Sequence, residues 1–144
     1  MTATVFVLNG PNLNLLGSRE PDVYGRVTLD EIAARLTDHG KELGVAVDIR
    51  QSNHEGHLID WLHEAAVCGA KAVILNAGGY THTSIALRDA VAAIAVPVIE
   101  VHLSDPLKRE SFRQTNFLVD VCKQSITGLG AHGYILALDA TAAL

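Results

Sequence analysis

Helical patterns alternate strictly with short, β-branched apolar runs along this chain, and no other feature limits its fold as sharply. Thr4 to Leu8 reads as a first strand. Thr28-Leu29-Asp30-Glu31 has the form of a capping box, after which Leu29, Ile32, Leu36 and Leu43 share one helix face until Gly44 stops the helix. Val45 to Ile49 is the second strand. A helix from about His57 to Cys68 follows, with Leu58, Leu62 and Ala65 inward and Gly69 at its end. Ala72 to Leu75 is the third strand and Ser84 to Ile94 the third helix. Val96 to Val101 is the fourth strand, with Pro97 near its start, where a missing N–H costs little. The fifth strand lies within Val119 to Thr127, and a last helix extends from about Gly130 to the end.

Such alternation predicts a parallel sheet with right-handed crossovers and helices on both faces. Five units in 144 residues predict one α/β, flavodoxin-like, three-layer domain spanning residues 1–144, with strand order 2-1-3-4-5. A chain of this length buries about 70% of the surface it exposes when unfolded. Hydrophobic residues make up 49% and aromatic ones only 5%, which suits layered aliphatic packing better than a base-stacking surface. The net charge of −5 argues against nucleic acid as a partner. It leaves room for a small anionic substrate, because a few arginines lining a cleft outweigh distant carboxylates there. No apolar stretch reaches the roughly 20 residues that span a bilayer, and no signal-peptide pattern opens the chain, so no membrane association is expected. Cys68 and Cys122 lack CxxC spacing and fit two reduced thiols in a cytoplasmic protein.

Two patterns resemble motifs without meeting their requirements. Gly128-Leu129-Gly130-Ala131-His132-Gly133 matches GxGxxG between a strand and a helix, but a dinucleotide site also needs a further strand with an acidic residue about 20 positions on. Too little chain follows Gly133 for that, so tight strand-to-helix packing is expected instead. His54-Glu55-Gly56-His57 is one residue short of HExxH, and its histidines read as solvated or cap-forming residues in a loop. No metal site is expected.

In open α/β sheets, ligands bind beyond the carboxyl ends of the strands where strand order reverses, here between strands 1 and 3. Asn9-Gly10-Pro11-Asn12, Asn76-Ala77-Gly78-Gly79 and His102-Leu103-Ser104 follow strands 1, 3 and 4. Each alone reads as an ordinary turn; three on one edge point to a site. The connection from Gly10 to Gly25 is long for a βα loop, which usually takes about 2–6 residues. It reads either as an active-site lid hinged at Gly17 and Gly25, or as an Ω-loop packed by Leu13, Leu15 and Leu16. Arg19 and Tyr24 are its chemically interesting pair. A phenol has a pKa of about 10, and lowering it by about three units takes about 4 kcal/mol of preferential interaction with a nearby cation.

Gly10-Pro11-Asn12-Leu13-Asn14, Leu16-Gly17, Arg19-Glu20-Pro21 and Tyr24-Gly25 resemble the N-terminal signature of the type II 3-dehydroquinate dehydratases. The resemblance continues through Gln51-Ser52-Asn53, Asn76 to Ser84, Ala86 to Ala90 and Glu100 to Ser104. It resumes at Arg109-Glu110, Phe112-Arg113 and Gly128 to Leu138, covering almost the whole chain in the family's order and spacing. The resemblance implies a cofactor-free anti elimination of water from 3-dehydroquinate, through an enolate, to give 3-dehydroshikimate. It casts Tyr24 as the base, held as phenolate by Arg19, and Asn12 as the enolate stabiliser acting through a water, the oxyanion-hole strategy for charge that appears only in transit. His102 becomes the general acid, a task its ordinary pKa near 6.5 suits. The N–H groups of Leu103 and Ser104, with the Ser104 hydroxyl, would bind the substrate carboxylate. Asn76, His82 and Arg113 would bind ring hydroxyls, and Asp89 would reach in from a neighbouring subunit of trimers grouped into dodecamers.

Without the family, His82 is a cap residue, Asp89 a surface charge, Arg109 and Arg113 the decoration of a short helix, and His102 a core histidine. Three places depart from the family pattern: Gln114-Thr115-Asn116-Phe117, Asp105 and His132. The first two adjoin the carboxylate site and Arg113, so they bear on affinity and subunit packing, while Tyr24, Arg19 and His102 are untouched. Three other readings compete: a lysine Schiff-base dehydratase using Lys41, Lys71, Lys108 or Lys123, a flavodoxin-like nucleotide or flavin binder, and a catalytically silent family member.

Overall fold

The computed structural model describes residues 2–144. Its strands are β1 (Ala3–Asn9), β2 (Val45–Gln51), β3 (Ala72–Asn76), β4 (Val98–His102) and β5 (Gln124–Thr127). They form one sheet in the order β2-β1-β3-β4-β5, the flavodoxin-like order expected from the sequence. Every neighbouring pair runs parallel. The helices are α1 (Pro21–Tyr24), α2 (Leu29–Leu43), α3 (Glu55–Val67), α4 (Ile85–Ala93) and α5 (His132–Ala142).

Side chains alternate across a strand, so a sheet covered on both faces needs apolar residues at every position. Val5 and Val7 of β1 pack with Leu36 of α2 and with Tyr134 and Leu138 of α5. Phe6 and Leu8 face the opposite layer, with Leu58 and Leu62 of α3 and Leu87 of α4. The continuous apolar runs are thus a consequence of burial on two sides. At the start of α2 the Thr28 hydroxyl oxygen accepts from the Glu31 N–H at 3.2 Å, as the capping-box pattern requires.

Several boundaries differ from the sequence reading. α3 begins at Glu55 and so takes in His57, because His54 occupies the N-cap position. The Ser52 hydroxyl oxygen accepts from the His54 N–H at 3.0 Å and sets up that entry. β4 starts at Val98, leaving Val96 and Pro97 outside, although the Pro97 carbonyl still accepts from the Val73 N–H at 2.9 Å. β5, Gln124–Thr127, falls inside the stretch expected to contain it, after a turn in which Asn116 Oδ1 accepts from the Leu118 and Val119 N–H groups at 2.7 and 3.0 Å. α5 starts at His132, after Gly130 adopts φ 58°.

The register brings the polar strand ends together. Asn9 lies opposite both Gln51 and Asn76, and His102 lies opposite Thr127. All occupy the carboxyl edge of the sheet. Truncating the fully buried Leu36 to alanine is expected to destabilise the protein by about 2–5 kcal/mol, which urea denaturation followed by circular dichroism would measure.

Candidate active site

Beyond that edge lies a cleft of about 170 Å³, lined by Asn12, Arg19, Tyr24, Asn76, His82, His102, Leu103, Ser104, Arg109 and Arg113 among others. Nine of the ten residues singled out from the sequence therefore converge. The exception is Asp89, exposed on α4 and not among the residues lining the cleft of its own subunit. A space of this size suits a single small ring and is well short of what a flavin nucleotide fills.

The loop after β1 combines both readings made of it. Leu13 and Leu16 are buried beneath it, while Leu15 is 46% exposed. Gly17 and Gly25 take φ 95° and 84°, and two non-glycine residues, Asn12 at 68° and Glu20 at 40°, also enter the left-handed region. Such backbone costs about 1–3 kcal/mol per residue and persists where surrounding contacts enforce it. For Asn12 those contacts come from the end of β2. Asn53 Oδ1 accepts from the Asn12 N–H at 3.0 Å, and Gln51 Nε2 donates to the Gly10 carbonyl at 3.1 Å. Gly10 itself runs so close to β3's loop that a Cβ there would lie 2.5 Å from the Ala77 carbonyl oxygen.

Tyr24 closes the short helix α1. Arg19 covers its ring, the guanidinium carbon 4.6 Å from the ring centroid. The hydroxyl itself is held by a different residue: Arg109 Nη1 donates to it at 2.6 Å, with the Arg109 guanidinium carbon 5.0 Å from the centroid. Arg109 was legible only as one of two arginines four residues apart, with no role attached. Its partner Arg113 is ion-paired to Glu110 at the cleft wall.

His102 is the last residue of β4, and Glu100, two positions earlier, projects to the same face. Glu100 has no solvent exposure. Its Oε2 accepts from His102 Nε2 at 2.8 Å and from Asn116 Nδ2 at 2.9 Å, and its Oε1 accepts from the Ser125 hydroxyl at 2.8 Å. Burial acts to raise the Glu100 pKa, but the hydrogen bond and charge of His102, then Ser125 and Asn116, outweigh it and hold the carboxyl below its ordinary value. An ionised carboxylate only accepts, so the His102 proton sits on Nε2 and Nδ1 is left for other work. His82 Nδ1 donates to the Thr115 carbonyl at 2.7 Å. Burial, reinforced by the charges of His102 and Arg113, pushes the His82 pKa down despite the raising effects of Thr115 and Glu100. His82 is thus a neutral imidazole near neutral pH, with Nε2 as an acceptor.

The departures from the family pattern are built into this framework. Thr115 anchors His82, Asn116 holds Glu100, and Asp105 Oδ1 accepts from the Leu107 N–H at 3.0 Å. His132 sits exposed in the first turn of α5, and nothing in the structure explains its identity. The glycine-rich turn after β5 also serves the site. The Gly128 N–H donates to the His102 and Ser104 carbonyls at 3.3 and 3.2 Å, and the Gly130 N–H to the Leu103 carbonyl at 3.0 Å. Gly133 packs against Ile126 and Val101, the strand-to-helix contact expected of it. Lys41, Lys71, Lys108 and Lys123 all lie outside the cleft lining. His57 Nδ1 is 2.7 Å from the Ser52 hydroxyl, and among the described residues no three His, Cys, Asp or Glu side chains cluster as a metal site.

A doubly wound α/β sheet whose carboxyl-edge cleft gathers a tyrosine, a histidine and several arginines is the arrangement of an α/β enzyme that takes its substrate at the strand ends. The chain belongs to the class II dehydroquinase family, whose description, Dehydroquinase class II, matches residues 3–142. It is 56% identical over 140 residues to a 3-dehydroquinate dehydratase of Rhizobium johnstonii, covering 97% of this chain and 96% of that one. It is also 56% identical over 135 residues to a 3-dehydroquinate dehydratase of Halalkalibacterium halodurans, covering 94% and 92% of the two chains. The crystal structure of the type II dehydroquinase from Propionibacterium acnes superposes with a TM-score of 0.96 at 42% identity, covering 100% of this chain and 99% of that one.

Because Glu100 is held below its ordinary value near 4.5, it contributes stability that is present above that pH and lost as pH falls through the lower folded value. Glu100→Gln should therefore be less stable than wild type at neutral pH, and the gap should narrow on acidification. Melting temperatures of both proteins from pH 7 down to about pH 3 would reveal this; a gap independent of pH would refute the assignment.

Proposed function

We propose that this chain is a cofactor-free hydro-lyase that converts 3-dehydroquinate to 3-dehydroshikimate, a step of the shikimate pathway, with residues 1–144 acting as one catalytic domain. The observation that carries this is the Tyr24 hydroxyl, fixed at 2.6 Å by Arg109 and covered by Arg19, in the same cleft as His102. A charge-assisted bond from a guanidinium to a phenolate is stronger than one to a phenol.

As base, the Tyr24 oxygen takes the proton from C2 of the substrate, and the electron pair left behind moves onto the neighbouring carbonyl oxygen as an enolate. Asn12, through a water, would stabilise that oxygen; its enforced backbone conformation means little reorganisation is needed as the charge develops. The enolate then collapses, the C–OH bond breaks, and His102 gives the departing hydroxyl a proton from Nδ1, so water and the conjugated enone leave. Glu100 supports the imidazolium before transfer and keeps the ring oriented after it. The protonated Tyr24 and the neutral His102 exchange protons with solvent to complete the cycle.

The Leu103 and Ser104 N–H groups and the Ser104 hydroxyl bind the substrate carboxylate in this scheme, and Asn76, His82 and Arg113 bind ring hydroxyls. Base and acid come from side chains and the anion-stabilising donors from side chains and backbone N–H groups, so the scheme calls for no cofactor or metal. Asp89 points to the remaining part of the proposal: trimers grouped into dodecamers in the cytoplasm, with Asp89 completing a neighbour's cleft. No helix among the described residues is long and apolar enough to cross a membrane.

Ultraviolet detection of the enone formed from 3-dehydroquinate is the direct test. Wild type should turn over, and a folded Tyr24→Phe variant should lose about 10²–10⁴ in kcat, the usual worth of a positioned base. A folded wild-type oligomer that forms no enone would transfer the weight to the silent-member reading.

A further inference from the structure

Beneath the cleft runs a chain of side-chain hydrogen bonds that ends on Asn76 and whose other two members, Asn9 and Tyr134, have no part in the proposed reaction. Asn9 and Tyr134 have no solvent exposure, and Asn76 is 3% exposed. Asn9 ends β1, Asn76 ends the adjacent β3, and Tyr134 reaches up to both from α5. Tyr134's hydroxyl donates to Asn9 Oδ1 at 2.6 Å and accepts from Asn76 Nδ2 at 3.0 Å.

The chain has a direction, and its two ends fix it. At one end Asn9 Nδ2 donates to the Arg50 carbonyl oxygen at 3.1 Å, which leaves Oδ1 to face the phenol. At the other end Asn76 Oδ1 accepts from the Gly78 N–H at 3.2 Å, which leaves Nδ2 to face it. A backbone carbonyl cannot donate and a backbone N–H cannot accept, so neither amide can be turned over without setting like groups against each other. Burial also pushes the Tyr134 pKa up, against the opposing effect of its Asn76 bond, so Tyr134 remains a neutral phenol able to donate and accept at once.

We propose that Tyr134 is a positioning residue for substrate recognition, locking the Asn76 amide so that one Nδ2 hydrogen and one Oδ1 lone pair are presented to the cleft in a single fixed order. The proposal rests on the reading of this cleft as a 3-dehydroquinate site in which Asn76 meets a ring hydroxyl. Removing the phenolic oxygen leaves the amide's orientation set from one side only. It then spends part of its time turned over, with donor and acceptor exchanged against the substrate. The loss falls on binding and leaves the proton-transfer groups in place.

Steady-state kinetics of the full chain with 3-dehydroquinate would test this, alongside melting temperatures. Tyr134→Phe should raise KM about three- to tenfold, the worth of one neutral hydrogen bond, and leave kcat within about twofold. In an Asn76→Ala background the same substitution should leave KM unchanged, because the residue it acts through is gone. A lower melting temperature with unchanged KM, or equal effects with and without Asn76, would overturn the proposal in favour of a purely structural role. Should Tyr134→Phe fail to fold, Asn9→Ala provides the second route, since it frees the hydroxyl to rotate. The same KM rise, again absent without Asn76, is expected, and an unchanged KM would overturn the proposal. Lack of turnover by wild type is a separate result: it removes the substrate assignment itself, and this proposal with it.

Discussion

The Glu100 carboxylate is buried with no access to water, and the β4–β5 side of the carboxyl edge is arranged around it. An unpaired charge in such a place costs several kcal/mol, and removing one partner of a buried pair typically costs about 3–5 kcal/mol. Its three donors come from separate parts of the chain: His102 from its own strand, Ser125 from β5 and Asn116 from the polar segment between them. Satisfying that charge therefore pins a stretch with little apolar content of its own. Arg88 of α4 completes the fastening, donating to the Phe117 carbonyl at 2.8 Å and pairing with Asp120. The same bonds that relieve the buried carboxylate orient His102 in the cleft.

The two tyrosines of the site region show how environment divides one side chain into two roles. Tyr134 is enclosed by amides and aliphatic side chains, and its phenol remains neutral as the middle of a hydrogen-bond chain. Tyr24 is half-buried beneath two guanidiniums, with its hydroxyl accepting from Arg109 at the wall of the cleft. The first environment arises inside the closed core. The second depends on a loop that wraps back over the sheet edge, with its hydrophobic residues Leu13 and Leu16 holding it down and its strained Asn12 tied to the end of β2.

The alternation of strands and helices was legible because both faces of this sheet are buried, so apolar runs and helical stripes carry the pattern directly. Boundaries were less legible where a side chain, not periodicity, decided them. Asn116 caps the turn ahead of β5, and Ser52 holds His54 at the N-cap of α3, so the helix starts at Glu55. Within the cleft, Asn12, Asn76 and His102 could be found because each follows a strand on one edge. Arg109 could not. It stands 85 residues from Tyr24, in a stretch without regular pattern, and only folding brings its guanidinium to that hydroxyl. Glu100 was hidden for a different reason, since a single charged residue in an apolar strand does not announce which partners will relieve it.

By itself the sequence determined the layers, the strand order, the edge that carries the site and the family's tyrosine, arginine and histidine. These follow from local periodicity and from short motifs, which act over a few residues. Only the tertiary structure decided which arginine holds the Tyr24 hydroxyl, which nitrogen of His102 faces Glu100, and that Asn9, Tyr134 and Asn76 share one directed hydrogen-bond chain. Each of these depends on donors and acceptors far apart in the chain meeting at about 3 Å, a coincidence of distance and angle that no linear pattern encodes.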